Sequence, residues 1–391
     1  MTHTPLDSDL AAPLKAAKPR RIGIDARFYS RHFGIGRYVY ELVQNVTTLD
    51  TENEYVVFLN QPNYDEFIPS RPGVTKVLAD APHYSLREQL SFVKKLKAAR
   101  LDLMHFTHFN APILYRGPSV VTIHDLTLSM YPERRFNGTL RRWAYDLIIS
   151  SVAHRSRHII AVSNNTKHDI VNFLRIPEEK ISVVYPGVGE EFKPTEDPAA
   201  VADLRERLDL KKPYLLYAGV WRSHKNLINL IRAFSLLKAK HDFPGLLAIT
   251  GLPDPRYAEV TQAVHHYGLN DDVRFVGRVS EEDLILLYNG ALSYVIPSLY
   301  EGFGLPALEA FACGTPVCAS KTSCLPEVCG EGNALFFDPH DPTNIAETLD
   351  TLIKDPQLQA TLRERGLARA REFSWDTMAR SVLEIYNKAL S

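Results

Sequence analysis

A chain of 391 residues, 45% hydrophobic and 23% charged, exceeds what one hydrophobic core usually organises, so two domains are expected. The formal net charge of −1 excludes a protein that coats a polyanion, and no nucleic-acid partner is expected. No apolar stretch approaches the roughly 18–20 residues that span a bilayer, and lysines and prolines stand where a signal peptide would have an apolar core, so a cytoplasmic protein is expected.

Residues 1–19 are polar, proline-containing and aperiodic, the pattern of a disordered tail with no function of its own. From Arg20 onward, short β-branched runs alternate with longer amphipathic ones. RIGID (21–25), YVVFLN (55–60), DLMHF (102–106), VVTIHD (120–125), HIIAVS (158–163) and ISVVYPG (181–187) predict strands, and Tyr38–Val46, Leu86–Ala99, Leu140–Ala153 and Asn165–Leu174 predict helices. That alternation implies a parallel sheet covered on both faces. After the first strand, Phe33-Gly34-Ile35-Gly36-Arg37-Tyr38 sets two glycines where a backbone can approach a phosphate, or simply turn. It is less than a dinucleotide fingerprint, and no acidic residue ends the next strand as a NAD site requires.

His105, His108 and Asn110 in MHFTHFN are candidates for lining a ligand cleft, or for packing. His124-Asp125 closes VVTIHD, at a strand end that faces a ligand crevice; Asp125 suits an orienting or capping role. Arg134, Arg135, Arg141, Arg142, Arg155 and Arg157 surround a predicted helix, which is either a solvated face or one that meets anionic lipid.

The segment GVGEEFKPTEDPAA (187–200) has the composition of a linker, and the pattern then restarts. YLLYAG (214–219), LLAITG (246–251), VRFVG (273–277), SYVIPS (293–298) and PVCAS (316–320) predict a second set of strands, and the last run, Trp375–Leu390, is amphipathic. In Gly219-Val220-Trp221-Arg222-Ser223-His224-Lys225-Asn226, Arg222 and Lys225 are placed to neutralise a diphosphate as its charge grows, with a solvated surface charge as the plainer reading of Arg222. Cys313, Cys318, Cys324 and Cys329 are separated by four, five and four residues, which is not the close pairing of a zinc site, so reduced thiols and no metal are expected.

The most informative segment is Pro297–Glu309, PSLYEGFGLPALE. Gly302 and Gly304 allow a sharp turn close to a ligand, and the helix opening at Leu305 offers unpaired N–H groups to an anion. Glu301 lies on the loop and Glu309 one helical turn beyond Leu305. Two carboxylates beside a phosphate nest point to a nucleotide sugar.

Glu301-x7-Glu309, with Gly-Phe-Gly-Leu-Pro between, resembles the signature of the family-4 retaining glycosyltransferases, and the resemblance runs from Arg20 nearly to the end. It implies an α/β architecture of the GT-B type: an acceptor-side Rossmann-like domain over 20–187, a nucleotide-sugar-binding one over 188–374, and a terminal helix over 375–391 returning to the first. It implies that Glu301 lies against the donor sugar and Glu309 on its ribose, and that His124 contacts the sugar, with its backbone carbonyl near the anomeric carbon. Gly34 and Gly36 would border the phosphates, Gly302, Phe303, Gly304 and Leu305 would position phosphate and sugar, and Lys225 would hold the diphosphate. The family carries an Arg directly after the glycine where this chain has Val220, which makes Arg222 the substitute. In such enzymes the leaving phosphate receives the acceptor proton on the same face.

IGIDARFYSRHFGIGRYVYEL with TIHDL is most similar to bacterial mannosyltransferases of polysaccharide assembly. That implies GDP-mannose as donor, a glycan or lipid-linked glycan as acceptor, no cofactor, and peripheral contact with the inner face of an anionic membrane; UDP-sugars suit the same phosphate machinery. The Asp-x-Asp metal site of the other major glycosyltransferase fold has a counterpart only in Asp7-Ser8-Asp9 of the tail. A sugar-nucleotide epimerase of the same architecture and a non-catalytic nucleotide-sugar-binding subunit are the alternatives from other classes.

Overall fold

The computed structural model of the protein describes residues 18–31, 34–80, 88–131 and 139–391. The expected tail up to residue 17, Phe33, Arg134 and Arg135 lie outside them. The first half forms seven strands, β1 (Arg21–Asp25), β2 (Glu54–Leu59), β3 (Val74–Leu78), β4 (Leu103–Phe106), β5 (Ser119–Ile123), β6 (His158–Ala161) and β7 (Ile181–Val183). All pair in parallel, in the order β3-β2-β1-β4-β5-β6-β7. The second half forms β8 (Tyr214–Tyr217), β9 (Leu246–Thr250), β10 (Val273–Gly277), β11 (Ser293–Ile296), β12 (Val317–Ser320) and β13 (Leu335–Phe337), also parallel, in the order β10-β9-β8-β11-β12-β13.

The interior strands are unbroken buried runs, as sheets covered by helices on both faces require. The two strands that escape the periodicity reading, β3 and β13, are edge strands. Both are only partly buried: β3 (VTKVL) is interrupted by Thr75 and Lys76, and β13 (LFF) is three residues long, too short for its apolar run to mark a strand. The helix expected over Leu86–Ala99 is described from Glu88, as a π-helical turn (Glu88–Phe92) running into Val93–Ala98.

Each sheet reverses its winding once, between β1 and β4 and between β8 and β11. Loops at the carboxyl ends of strands flanking such a reversal splay apart and leave a crevice. The chain crosses between the sheets near Gly187 and near Ser374, where Val188 N–H donates to Phe373 O at 3.3 Å. Gly187 is required there, because a Cβ would overlap the backbone nitrogen of Trp375.

The last helix, Trp375–Leu390, is capped by Ser374, whose hydroxyl accepts from Thr377 N–H. Its buried Met378, Val382, Ile385 and Tyr386 recur at helical spacing and join Tyr38, Val39, Leu42 and Val46 of the helix Ile35–Leu49 in the first sheet's core. Each fully buried large apolar side chain contributes about 1.5–3 kcal/mol, so this helix is an integral part of the first unit's core.

Candidate active site between the two sheets

The loop after β8 is stitched to the loop after β11. Ser223–Lys225 makes one 3-10 turn and Asn226 takes a left-handed φ of 59°, which asparagine tolerates. Asn226 Nδ2 donates to Pro297 O at 3.0 Å and Pro339 O at 2.8 Å, while Leu299 N–H donates to His224 O at 2.7 Å. This bracing aims Lys225 at Glu301. The Nζ lies 2.6 and 2.8 Å from the two carboxylate oxygens, and the fully buried Ser298 donates to Oε1 at 2.6 Å.

Burial by itself would raise the Glu301 carboxyl. The charge and hydrogen bonds of Lys225, with the Ser298 hydroxyl, nevertheless hold it below its ordinary value, so it is an anion at neutral pH. Its backbone is held by one hydroxyl: Ser323 Oγ accepts from Glu301 N–H at 3.2 Å and donates to Glu301 O at 2.7 Å. Ser323 adopts a φ of 55°, a strained conformation for a non-glycine residue. Sequence reading missed Ser298 and Ser323, because a serine carries no local signal of the distant loop it braces.

Arg222 is placed apart from this pair. Its Nη1 lies 3.0 Å from Asp254 Oδ2 and its guanidinium stands 5.7 Å from the Tyr257 ring. Val220 is exposed on the same loop.

Beyond Glu301 the turn is built for closeness. Gly304 has a φ of 91° and is the N-cap of the helix Leu305–Ala312. Leu305 packs against the cores of both units. The Phe303 ring is buried, 6.0 Å from that of Tyr185 and 5.8 Å from that of Phe373, so it can offer a ligand only its backbone. Gly302 meets the first unit directly. A Cβ there would overlap the His124 carbonyl oxygen, and Ser163 Oγ donates to Gly302 O at 2.7 Å.

His124 therefore sits beside the glycine turn. Its imidazole donates from Nε2 to Thr107 O at 2.9 Å and stands edge-on to Tyr38 at 4.7 Å. Burial lowers its pKa against the opposing effects of the Thr107 carbonyl and Asp125, so the ring is neutral at pH 7 with Nδ1 left as an acceptor. The carbonyl oxygen that the resemblance places near a sugar is covered by Gly302 and accepts from Thr166 Oγ1 at 3.3 Å.

Glu309, on the far side of the turn, accepts from Tyr288 Oη at 3.1 Å. Burial pushes its carboxyl up to about 7, although the Tyr288 hydroxyl and the charge of Arg37 oppose the shift. Arg37 is 9% exposed and pairs with Glu41 at 3.2 Å, with Glu191 and with Glu281, so one guanidinium ties the first unit's helix to the linker and to the second unit. It belongs to the Gly34–Tyr38 motif, yet nothing in that motif shows that acids from distant segments converge on it. Gly34 supplies a φ of 65° at the helix cap, whereas Gly36 supplies space, since a Cβ would lie 2.7 Å from Ser30 Cβ.

His105 lies away from the crevice. It is fully buried, hydrogen-bonded to Tyr386 Oη at 2.6 Å and Thr122 Oγ1 at 2.8 Å, and burial pushes its pKa down to about 3, so it is a neutral tie within the core. His108 packs on Phe28 and Phe109. Asn110 Nδ2 donates at 2.9 Å to Glu88, which joins Asp25 around the buried Arg27.

The arginine cluster also divides. Arg155 donates to Ile113 O and Tyr115 O, and Arg157 donates to Ala389 O. Arg142 remains exposed on the helix Thr139–Arg155, beside exposed Trp143 and Leu147. The four cysteines are unbridged and buried, and burial pushes all four thiols up. Among the described residues no cluster of three or more His, Cys, Asp or Glu could hold a metal, and no helix is long and apolar enough to cross a membrane.

Chemically, the second unit brings together an ammonium, a helix start and two carboxylates around a glycine turn, and the first unit sets a neutral imidazole beside that turn. Residues 34–192 match the model for glycosyltransferase family 4, and residues 202–369 match that for glycosyl transferases group 1. The chain is 28% identical over 376 residues to O-antigen chain mannosyltransferase B of Escherichia coli, covering 90% of this chain and 95% of that one. It is 30% identical over 276 residues, 70% of its length, to the serotype-specific mannosyltransferase WbdA of Escherichia coli, of which it spans 34%. Among solved structures, HepE from Anabaena in complex with UDP and glucose superposes with a TM-score of 0.76 at 18% identity, over 94% of this chain and all of that one.

Proposed function

The chain belongs to the family-4 glycosyltransferases of group 1 and has their GT-B fold, and from that premise we propose that it transfers mannose from GDP-mannose to a hydroxyl of a glycan or lipid-linked glycan, with retention at the anomeric carbon. The observation that carries this reading is the Lys225–Glu301 pair, braced from two loops at the helix start and pressed through Gly302 against His124. Named relatives support the sugar: both curated relatives described above are mannosyltransferases.

In the proposed reaction, Lys225 and the first amides of the helix Leu305–Ala312 hold the diphosphate and stabilise its charge as the bond to the anomeric carbon breaks. Arg222 is the second cation, swinging from Asp254 to the phosphates. Glu301 stays ionised beside the sugar and supports an oxocarbenium-like transition state; His124 contacts the sugar through its neutral ring. Glu309 takes the ribose hydroxyls. The leaving phosphate accepts the proton of the acceptor hydroxyl on the same face, so no protein nucleophile is needed. The exposed Trp143, Leu147 and Arg142 face is proposed to meet anionic membrane carrying the acceptor.

The deciding experiment is a thermal-shift screen with GDP-mannose, UDP-glucose, UDP-galactose, UDP-N-acetylglucosamine, GDP, UDP and NAD in the presence of EDTA, followed by transfer assays with the donor that shifts. A ligand that binds only the folded state stabilises it by mass action. A shift with GDP-mannose supports the assignment. A shift with UDP-sugars alone replaces the donor, and no shift with any sugar nucleotide overturns the site.

A further inference from the structure

We propose that Glu327 is a positioning residue for transfer: from the second unit it caps the first unit's helix Asn164–Leu174 and so holds the catalytic turn in its closed arrangement. The proposal rests on the transferase reading of the crevice. A helix leaves its first N–H groups without intrahelical partners and gathers positive potential there. Ser163 answers one of them, accepting from Thr166 N–H at 3.1 Å. The next two are answered from the other unit: Asn164 N–H donates to Glu327 Oε1 at 2.7 Å and Asn165 N–H to Oε2 at 3.2 Å. Asn164 Nδ2 at 3.0 Å and Tyr185 Oη at 2.8 Å complete the set on Oε1.

Both ends of the segment Ser323–Glu327 are engaged. At one end Ser323 Oγ and Cys324 Sγ bond the Glu301 carbonyl, at 2.7 and 3.2 Å; at the other the Glu327 carboxylate holds the helix. The Glu327 carbonyl is itself fixed by Arg369 Nη2 at 2.7 Å. Further along the same helix, Asp169 accepts from Tyr300 Oη at 2.7 Å, and its cap Ser163 donates to Gly302 O. One helix thus receives the glycine turn, the tyrosine before Glu301 and the Glu327 carboxylate. Opening of the crevice would give up the bonds that cross between the units, those of Glu327 to Asn164, Asn165 and Tyr185, of Tyr300 to Asp169 and of Ser163 to Gly302, so Glu327 biases the molecule toward closure without touching the donor.

The test uses the full chain with Glu327→Gln, Glu327→Ala and Asn164→Asp, the last of which sets a carboxylate against Glu327. Loss of a charge-assisted hydrogen-bond set predicts a fall in kcat on the order of tenfold to a hundredfold, with the nucleotide Kd changed little, because the nucleotide binds on the second unit. Small-angle X-ray scattering should show a larger radius of gyration for all three variants in the absence of donor. Folded variants with wild-type kcat and wild-type scattering would overturn the proposal. If the Glu327 variants fail to fold, Asn164→Asp decides by the same readouts. If the wild type transfers from no sugar nucleotide, the transferase reading fails, and scattering still decides the cap.

Discussion

Lys225 engages both oxygens of Glu301, and its removal leaves a largely buried carboxylate without its counter-charge. Lys225→Ala is therefore expected to lower kcat by about 10²–10³-fold, the usual cost of removing a preorganised charge stabiliser, and near-normal turnover would refute its assignment. Glu309 supplies a pH signature. Its carboxyl sits at about 7 in the folded chain against an ordinary 4.5, so the folded state holds this proton more tightly than the unfolded chain does. The group's stabilising contribution is complete below its unfolded pKa and is lost as pH rises through the folded one. Glu309→Gln keeps the neutral shape, so a Tm advantage of the variant should open between about pH 5 and pH 8, read by calorimetry. Ribose hydroxyls donate to the ionised form, so nucleotide affinity of the wild type should rise over the same window and that of Glu309→Gln should not. Both glutamates were legible in the sequence from their spacing around the glycine turn. Their different charge states were not, because the one follows from a lysine far away in the chain and the other from burial in the folded molecule.

Among the elements, the glycine turn brings the backbones of the two units into contact. Gly302 lies so near the His124 carbonyl that any Cβ must displace backbone, which has no rotamer escape. Gly302→Ala is expected to leave nucleotide binding within about threefold of wild type while lowering kcat at least tenfold, a loss comparable to that of a small packing misfit. Equal losses in nucleotide Kd, measured by calorimetry, would place Gly302 in donor binding instead. The strand-turn-helix pattern identifies this turn from the sequence alone, and it also locates the loop after β8 that carries Lys225. The helix Asn164–Leu174 was equally legible as an element. That it receives three groups from the other unit was not, since asparagine, serine and threonine at a helix start are ordinary caps until a partner is seen.

At the scale of the molecule, two sheets are joined by two chain crossings and by the return of the last helix. Tyr386 on that helix bonds the buried His105, and a Tyr386→Phe change would leave an unsatisfied imidazole nitrogen in the core. A loss of about 1–3 kcal/mol in urea unfolding is expected, with kcat unchanged for the fraction that remains folded; unaltered stability would mean that the pair carries no net energy. His105 illustrates the limit of reading from a chain: a histidine near aromatic residues looks like a site residue until its burial is known, and here His124 lies beside the glycine turn while His105 lies in the core. The sequence by itself determined the two-sheet α/β architecture, the family and the positions of Lys225, Glu301, Glu309 and the glycine turn, because hydrophobic period, turn chemistry and motif spacing are local properties. Only the tertiary structure decided which charges meet. Lys225 with Glu301, Arg222 with Asp254, Arg37 with Glu191 and Glu281, and Glu327 on a helix of the other unit are pairings between segments distant in the chain, set by how the sheets wind and pack and by no short-range pattern.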